Sequence, residues 1–140
     1  MMEELAGALA AEEAAIYAYG LVGVHLAEAE QDRARTAEQQ HRVRRDELVD
    51  RLDELQASTA PAPAGYQLPF EVTDRESALK LAVHVEDGVA QAWRVVLPVT
   101  EGTERIDALS ALTESAVRAT RWRRIAGMTP LTMAFPGRPS

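Results

Sequence analysis

The chain of 140 residues contains no cysteine, which excludes disulfides, thiolate nucleophiles and zinc–thiolate sites. Phe, Tyr and Trp together make up only 5% of it, while alanine is abundant, a balance suited to closely packed helices rather than to a core of large rings. Long uncharged runs are also missing. The longest, "AAIYAYGLVGVHLA" between Glu13 and Glu28, has 14 residues, short of the about 20 that span a bilayer. The opening "MMEELAGALAAEE" lacks the basic start and apolar run of a secretory leader, so a cytoplasmic protein without a membrane partner is expected. Positive charge is in deficit: a formal net charge of -7 opposes nucleic acids and anionic membranes as global partners.

What is present is a set of helical seams. The length suits one domain with a single real core, and 46% hydrophobic with 26% charged residues is ordinary for a globular protein. Leu5, Leu9, Glu12, Ile16, Tyr19, Gly23 and Leu26 recur at steps of four and three, predicting a first helix over about 2–30. After a turn within "AEAEQDRAR", Ala34, Glu38, His41, Arg45, Leu48, Leu52 and Leu55 define a second over about 33–57. Pro61, Pro63, Gly65 and Pro69 then break the pattern through residues 58–73. A third helix, about 74–97, has Thr73 or Asp74 as N-cap and the seam Leu79, Val83, Glu86, Ala90, Trp93, Leu97. The fourth runs over about 103–126 through Leu109, Leu112, Ala116 and Ala119, ended by Gly127 and Pro130, and the tail 127–140 offers apolar residues to the bundle before its last residues fray.

The long connection carries topological information. Its seventeen residues from Ser58 to Asp74 reach roughly 55 Å when extended, whereas a helix of about 24 residues is about 36 Å long. The linker can therefore cross the whole bundle, making the second and third helices parallel in an all-α, up-down-down-up four-helix arrangement. A simple up-and-down bundle requires no such crossover.

Polar residues interrupt these seams. Glu12, Glu38, His41, Arg45 and Glu86 occupy positions where neighbouring turns place leucine or valine, and Tyr19 lies near the same level. One reading is a carboxylate-bridged metal pair, which requires anionic oxygens to neutralise two cations and imidazole to complete their coordination. Such sites draw one Glu from each of two helices and Glu-x-x-His from each of the other two. Glu12, Glu38-Gln39-Gln40-His41 and Glu86 fit three of these places, but the fourth helix offers only Glu114 with Val117 in the histidine position. The other reading is a metal-free network of Glu12, Tyr19, His41, Arg45 and Glu86, in which Arg45 supplies the positive charge.

Several stretches, "EEAAIYAYG" at 12–20, "HRVRRDEL" at 41–48, "GYQLP" at 65–69, Glu86 to Trp93 and "RATRWRR" at 118–124, resemble the ferritin-like superfamily, and within it a small ferritin-like domain family of unknown function. The resemblance covers nearly the whole chain and implies the crossover bundle. Ferritin-like relatives oxidise iron or activate oxygen, an activity that transfers only with its ligands. A fixed guanidinium in the same layer repels divalent metals, so the expected protein is a non-enzymatic module with a degenerate metal site and no cofactor.

The alternative is an oxidoreductase or metal-storage protein holding iron, manganese or zinc on Glu12, Glu38, His41 and Glu86. A small-molecule pocket lined by Tyr19 and Trp93 is a third possibility. The arginines of "RATRWRR" are read as complements to a helix C-terminus and to acidic neighbours rather than as a nucleic-acid patch. Alanine-rich faces favour self-association, with a homodimer as the expected partner state.

Overall fold

The computed structural model describes residues 1–139, and among them every regular element is helical. Helix α1 (Met2–Val22) is followed by a 3-10 turn at Gly23–His25, then α2 (Glu28–Glu54), α3 (Arg75–Val96), a second 3-10 turn at Leu97–Val99, and α4 (Gly102–Ala126). The first helix stops well short of the expected residue 30. The 3/4 spacing persists to Leu26 because that side chain still enters the core, yet its backbone is already extended. Side chains rather than Gly or Pro satisfy this turn: Glu30 accepts the Ala27 N–H at 3.1 Å, and Gln31 donates to the Leu26 carbonyl at 2.9 Å.

Helix α3 starts at a reciprocal cap. The Asp74 carboxylate accepts the Ser77 N–H at 2.9 Å, while the Ser77 hydroxyl accepts the Asp74 N–H at 3.1 Å. Helix α4 ends at Gly127, whose φ of 70° is the left-handed conformation that closes a helix with least strain in glycine.

Side-chain pairs fix the relative directions of the helices. Glu30 meets Arg75 and His41 meets Glu86, so α2 and α3 advance together. Glu12 meets Trp93 while Tyr19 meets Glu86, and Arg44 meets Glu114 while Arg51 meets Glu104; α1 therefore opposes α3, and α2 opposes α4. The linker joining α2 to α3 is anchored along α1: the Tyr66 ring packs 5.0 Å from that of Tyr17, and Leu68 and Val72 pack against the core. The tail is docked on the bundle as far as Gly137, while Arg138 and Pro139 are exposed and Ser140, where fraying was expected, lies outside the described residues. Gly137 is buried where an added Cβ would lie 2.7 Å from the Ala90 carbonyl, and Arg94 donates to the Pro136 carbonyl at 3.1 Å.

The interior forms two apolar clusters. One gathers Leu5, Leu9, Leu48, Leu52, Trp93 and Leu112; the other gathers Val22, Leu26, Leu79, Leu81 and Trp122. Met2–His25 is long and apolar enough to cross a bilayer by length and composition alone, but its stripe from Leu5 through Val22 is committed to the bundle interior. That stripe contains Glu12, which lies with His41 and Glu86 between the two clusters.

Candidate functional site

Every helix contributes to this layer. Glu12 and Tyr19 come from α1, His41 from α2, Glu86 and Trp93 from α3, and Ser115, Arg118 and Trp122 from α4. Glu12, His41 and Glu86 are each no more than 1% exposed. At that depth an unpaired charge would be costly, so the partners of each atom decide whether the arrangement can exist.

His41 is the centre. Its Nδ1 lies 2.5 Å from Glu12 Oε2 and its Nε2 lies 3.0 Å from Glu86 Oε2. A nitrogen facing a carboxylate serves best as a donor, so two such nitrogens require the doubly protonated imidazolium. Burial alone would lower its pKa; the hydrogen bonds and charges of Glu12 and Glu86 outweigh that effect and raise it to about 9.

Glu86 is the most heavily engaged group. Arg118 Nε donates to its two oxygens at 3.2 and 3.1 Å, and the Tyr19 hydroxyl also donates to it. Burial would raise its pKa, but His41, Arg118 and Tyr19 together hold it below the usual carboxylate range. Burial and the Glu86 charge push the Tyr19 phenol well above its ordinary value, keeping it a neutral donor. Trp122 Nε1 in turn donates to the Tyr19 oxygen at 2.8 Å, and Trp93 Nε1 donates to Glu12 Oε1 at 2.8 Å. Two carboxylates are thus balanced by one imidazolium and one guanidinium, with indole and phenol donors filling the remaining acceptor sites.

The structure corrects the sequence expectation at two positions. Arg45 does not enter the layer; it lies on the outer side of α2 and pairs with Asp46 at 3.0 Å. Glu38 is likewise outside and accepts from Arg42 at 3.0 Å. The seam of α2 passes through Ala37 and His41 and then between Arg44 and Arg45, so long side chains on its flank extend to solvent. The guanidinium that enters the layer is Arg118, which the sequence pattern shows only as a member of the basic cluster at the end of α4. Arg118 is 11% exposed, and its outer nitrogens reach Gln40 Oε1 at 2.6 Å and Ser115 Oγ at 3.2 Å. Another member of that cluster, Arg123, pairs with Asp87. Glu12, Tyr19, His41 and Glu86 are brought together.

These donors do not fit a carboxylate-bridged metal pair. All four oxygens of Glu12 and Glu86 already accept N–H or O–H groups, both nitrogens of His41 donate, and α4 presents Arg118 where a bridged pair needs Glu and His. Among the described residues, no group of three or more His, Asp or Glu side chains converges in metal-binding geometry.

The architecture and this layer define a class: an all-helical bundle with a charge-balanced polar centre. The chain belongs to the family described as domain of unknown function (DUF4439), which it matches over residues 4–140. It is also similar to a conserved hypothetical protein, rv2844, from Mycobacterium tuberculosis, whose crystal structure has 42% sequence identity and a TM-score of 0.84, with 88% of this chain and 94% of that chain covered. No match was found among curated proteins.

Proposed function

We propose that this protein is a ferritin-like bundle in the up-down-down-up arrangement, in which a closed ion network stands in the position of a metal pair, and that it acts as a non-enzymatic binding or assembly module. The crossover linker and the common direction of α2 and α3 support the ferritin-like reading. One observation carries the functional reading: His41 lies with both nitrogens between Glu12 and Glu86, while Arg118 spans the outer side of Glu86. Two fixed cations then supply the neutralisation that metal ions supply in an oxygen-activating bundle.

Elemental analysis of the protein purified without chelator tests this. The expected result is iron, manganese and zinc far below one equivalent, with no change in fold or stability on adding them. Near-stoichiometric metal that is lost in His41→Ala would overturn the reading and favour a metal site on Glu12, His41 and Glu86. For the assembly role, exposed Ile106, Leu109 and Val117 form an apolar stripe along α4 that a two-fold partner would cover with the same stripe. Sedimentation equilibrium should then give a dimer that Leu109→Glu converts to a monomer; a monomer for the unaltered protein at high concentration would remove the homodimer.

A further inference from the structure

Helices α2 and α4 are joined chiefly by long side chains, and at the level of residues 32–40 and 118–125 they leave a cleft of about 320 Å³. Its buried side carries Trp122 with Ile125, and its rim carries Arg33 and Arg121, both exposed. Among the described residues neither arginine forms an ion pair, although acidic residues outnumber basic ones in the chain by 22 to 15. The acid bordering the cleft, Asp32, is engaged by Arg35. The third guanidinium there, Arg118, gives Nε to Glu86 and turns its terminal nitrogens to the neutral groups of Gln40 and Ser115.

We propose that this cleft is a binding site for a small organic anion with a carboxylate head and a flat apolar body. The head would take the uncompensated charge of Arg33 and Arg121, since guanidinium groups present paired donors that match a carboxylate. The body would lie over half-buried Ile125, with Trp122, 3% exposed, closing the floor beneath it, the apolar surface with polar anchors that small-molecule sites share. The cleft also borders the buried layer. Trp122 donates to Tyr19 and Arg118 holds Glu86, so an occupant touches two residues that connect directly to the network. This site is distinct from the expected pocket beside Tyr19 and Trp93, and does not depend on the absence of metal from the layer.

Titration calorimetry of the full chain at low ionic strength with acetate, benzoate and benzamide tests the assignment. Benzoate should bind saturably, acetate and benzamide at least about tenfold more weakly, because one lacks the apolar body and the other the charge. Arg33→Ala combined with Arg121→Ala should weaken benzoate by about tenfold or more, the effect of losing charge-assisted hydrogen bonds. Arg105→Ala, which removes another exposed arginine without an ion pair on α4, should leave benzoate binding unchanged. Failure of benzoate to saturate, equal binding of acetate or benzamide, or equal weakening by Arg105→Ala would each overturn the site. Circular dichroism of the exposed-site variants, expected to match the unaltered protein, shows that altered binding reflects the cleft and not the fold.

Discussion

The same groups occur in two settings that lie side by side across α2 and α4. In the centre, Glu12, His41 and Glu86 are sealed between apolar clusters with Arg118 closing the layer on its outer side, and each is held by more than one partner. Along the outer groove, Arg44 pairs with Glu114 and Arg51 with Glu104, with at least one partner of each pair substantially exposed. Water solvates the outer charges whether or not they are paired, so pairing them adds little to stability. The inner charges have lost that solvation and depend on one another. The centre is therefore a coupled network, and the groove is a set of nearly independent contacts.

The largest test of this contrast is to remove one inner anion. Glu86→Ala leaves the His41 and Arg118 charges facing each other without their common acceptor, and should lower unfolding free energy by about 3–5 kcal/mol. Urea denaturation reads this directly. A loss under about 1 kcal/mol, the scale of a surface pair, would show that the centre is not a closed network.

Proton linkage separates the two regions next. The folded pKa of His41, about 9, exceeds the ordinary value of 6.5, so its contribution is complete below about pH 6.5 and is lost as pH rises through about 9. At about 1.4 kcal/mol per pH unit, that limb amounts to about 3 kcal/mol. Glu86 acts at the other end. Its depressed pKa contributes stability above the ordinary carboxylate value and loses it as pH falls through the folded value. Unfolding free energy measured across pH 5–10 should show the alkaline decline, and His41→Gln should flatten it. An unchanged slope in that variant would assign the decline to other groups.

Removing the outer cation of the network should have a smaller effect than removing its anion. Arg118→Met keeps much of the side-chain volume and leaves Glu86 with His41 and Tyr19 as donors. The expected loss is about 1.5–3 kcal/mol, the range for hydrogen bonds to charged groups. Arg118→Lys should recover part of it, because an ammonium restores charge but not the guanidinium geometry. Equal stability of the Met and Lys variants would show that Arg118 acts through packing alone.

Much of the bundle was legible because burial and helical periodicity coincide. Glu12, His41, Glu86 and Trp93 sit on seams whose neighbouring turns are apolar, and Asp74 with Ser77 marks the start of α3 through simple cap chemistry. The errors share one cause. A 3.6-residue turn lets either of two adjacent residues continue a seam, so spacing alone reads Glu38 and Arg45 where the buried row runs through Ala37, His41 and the gap beside Arg44. On α4 the chosen phase included Leu109, which is 52% exposed, whereas the buried row is Ala108, Leu112, Ser115, Ala119 and Trp122. Phasing that helix on Trp122 would have placed Arg118 beside Ser115 on the inward row. The turn after α1 lacked a Gly-Pro signal because Glu30 and Gln31 satisfy its backbone from within α2.

The smallest expected effect is also the sharpest check on that registration. Arg45 was the residue whose charge the sequence placed at the centre, and its partner is instead the adjacent, exposed Asp46. Arg45→Ala should therefore change unfolding free energy by less than about 0.5 kcal/mol, as for a surface substitution. The alkaline limb set by His41 should remain intact, since no hydrogen bond connects Arg45 to Glu12 or Glu86 among the described residues. A loss of several kcal/mol, or a shift of that limb toward lower pH, would return Arg45 to the interior and exchange its role with that of Arg118. Because the two arginines project from different helices, the pair of variants distinguishes the two placements without reference to any ligand.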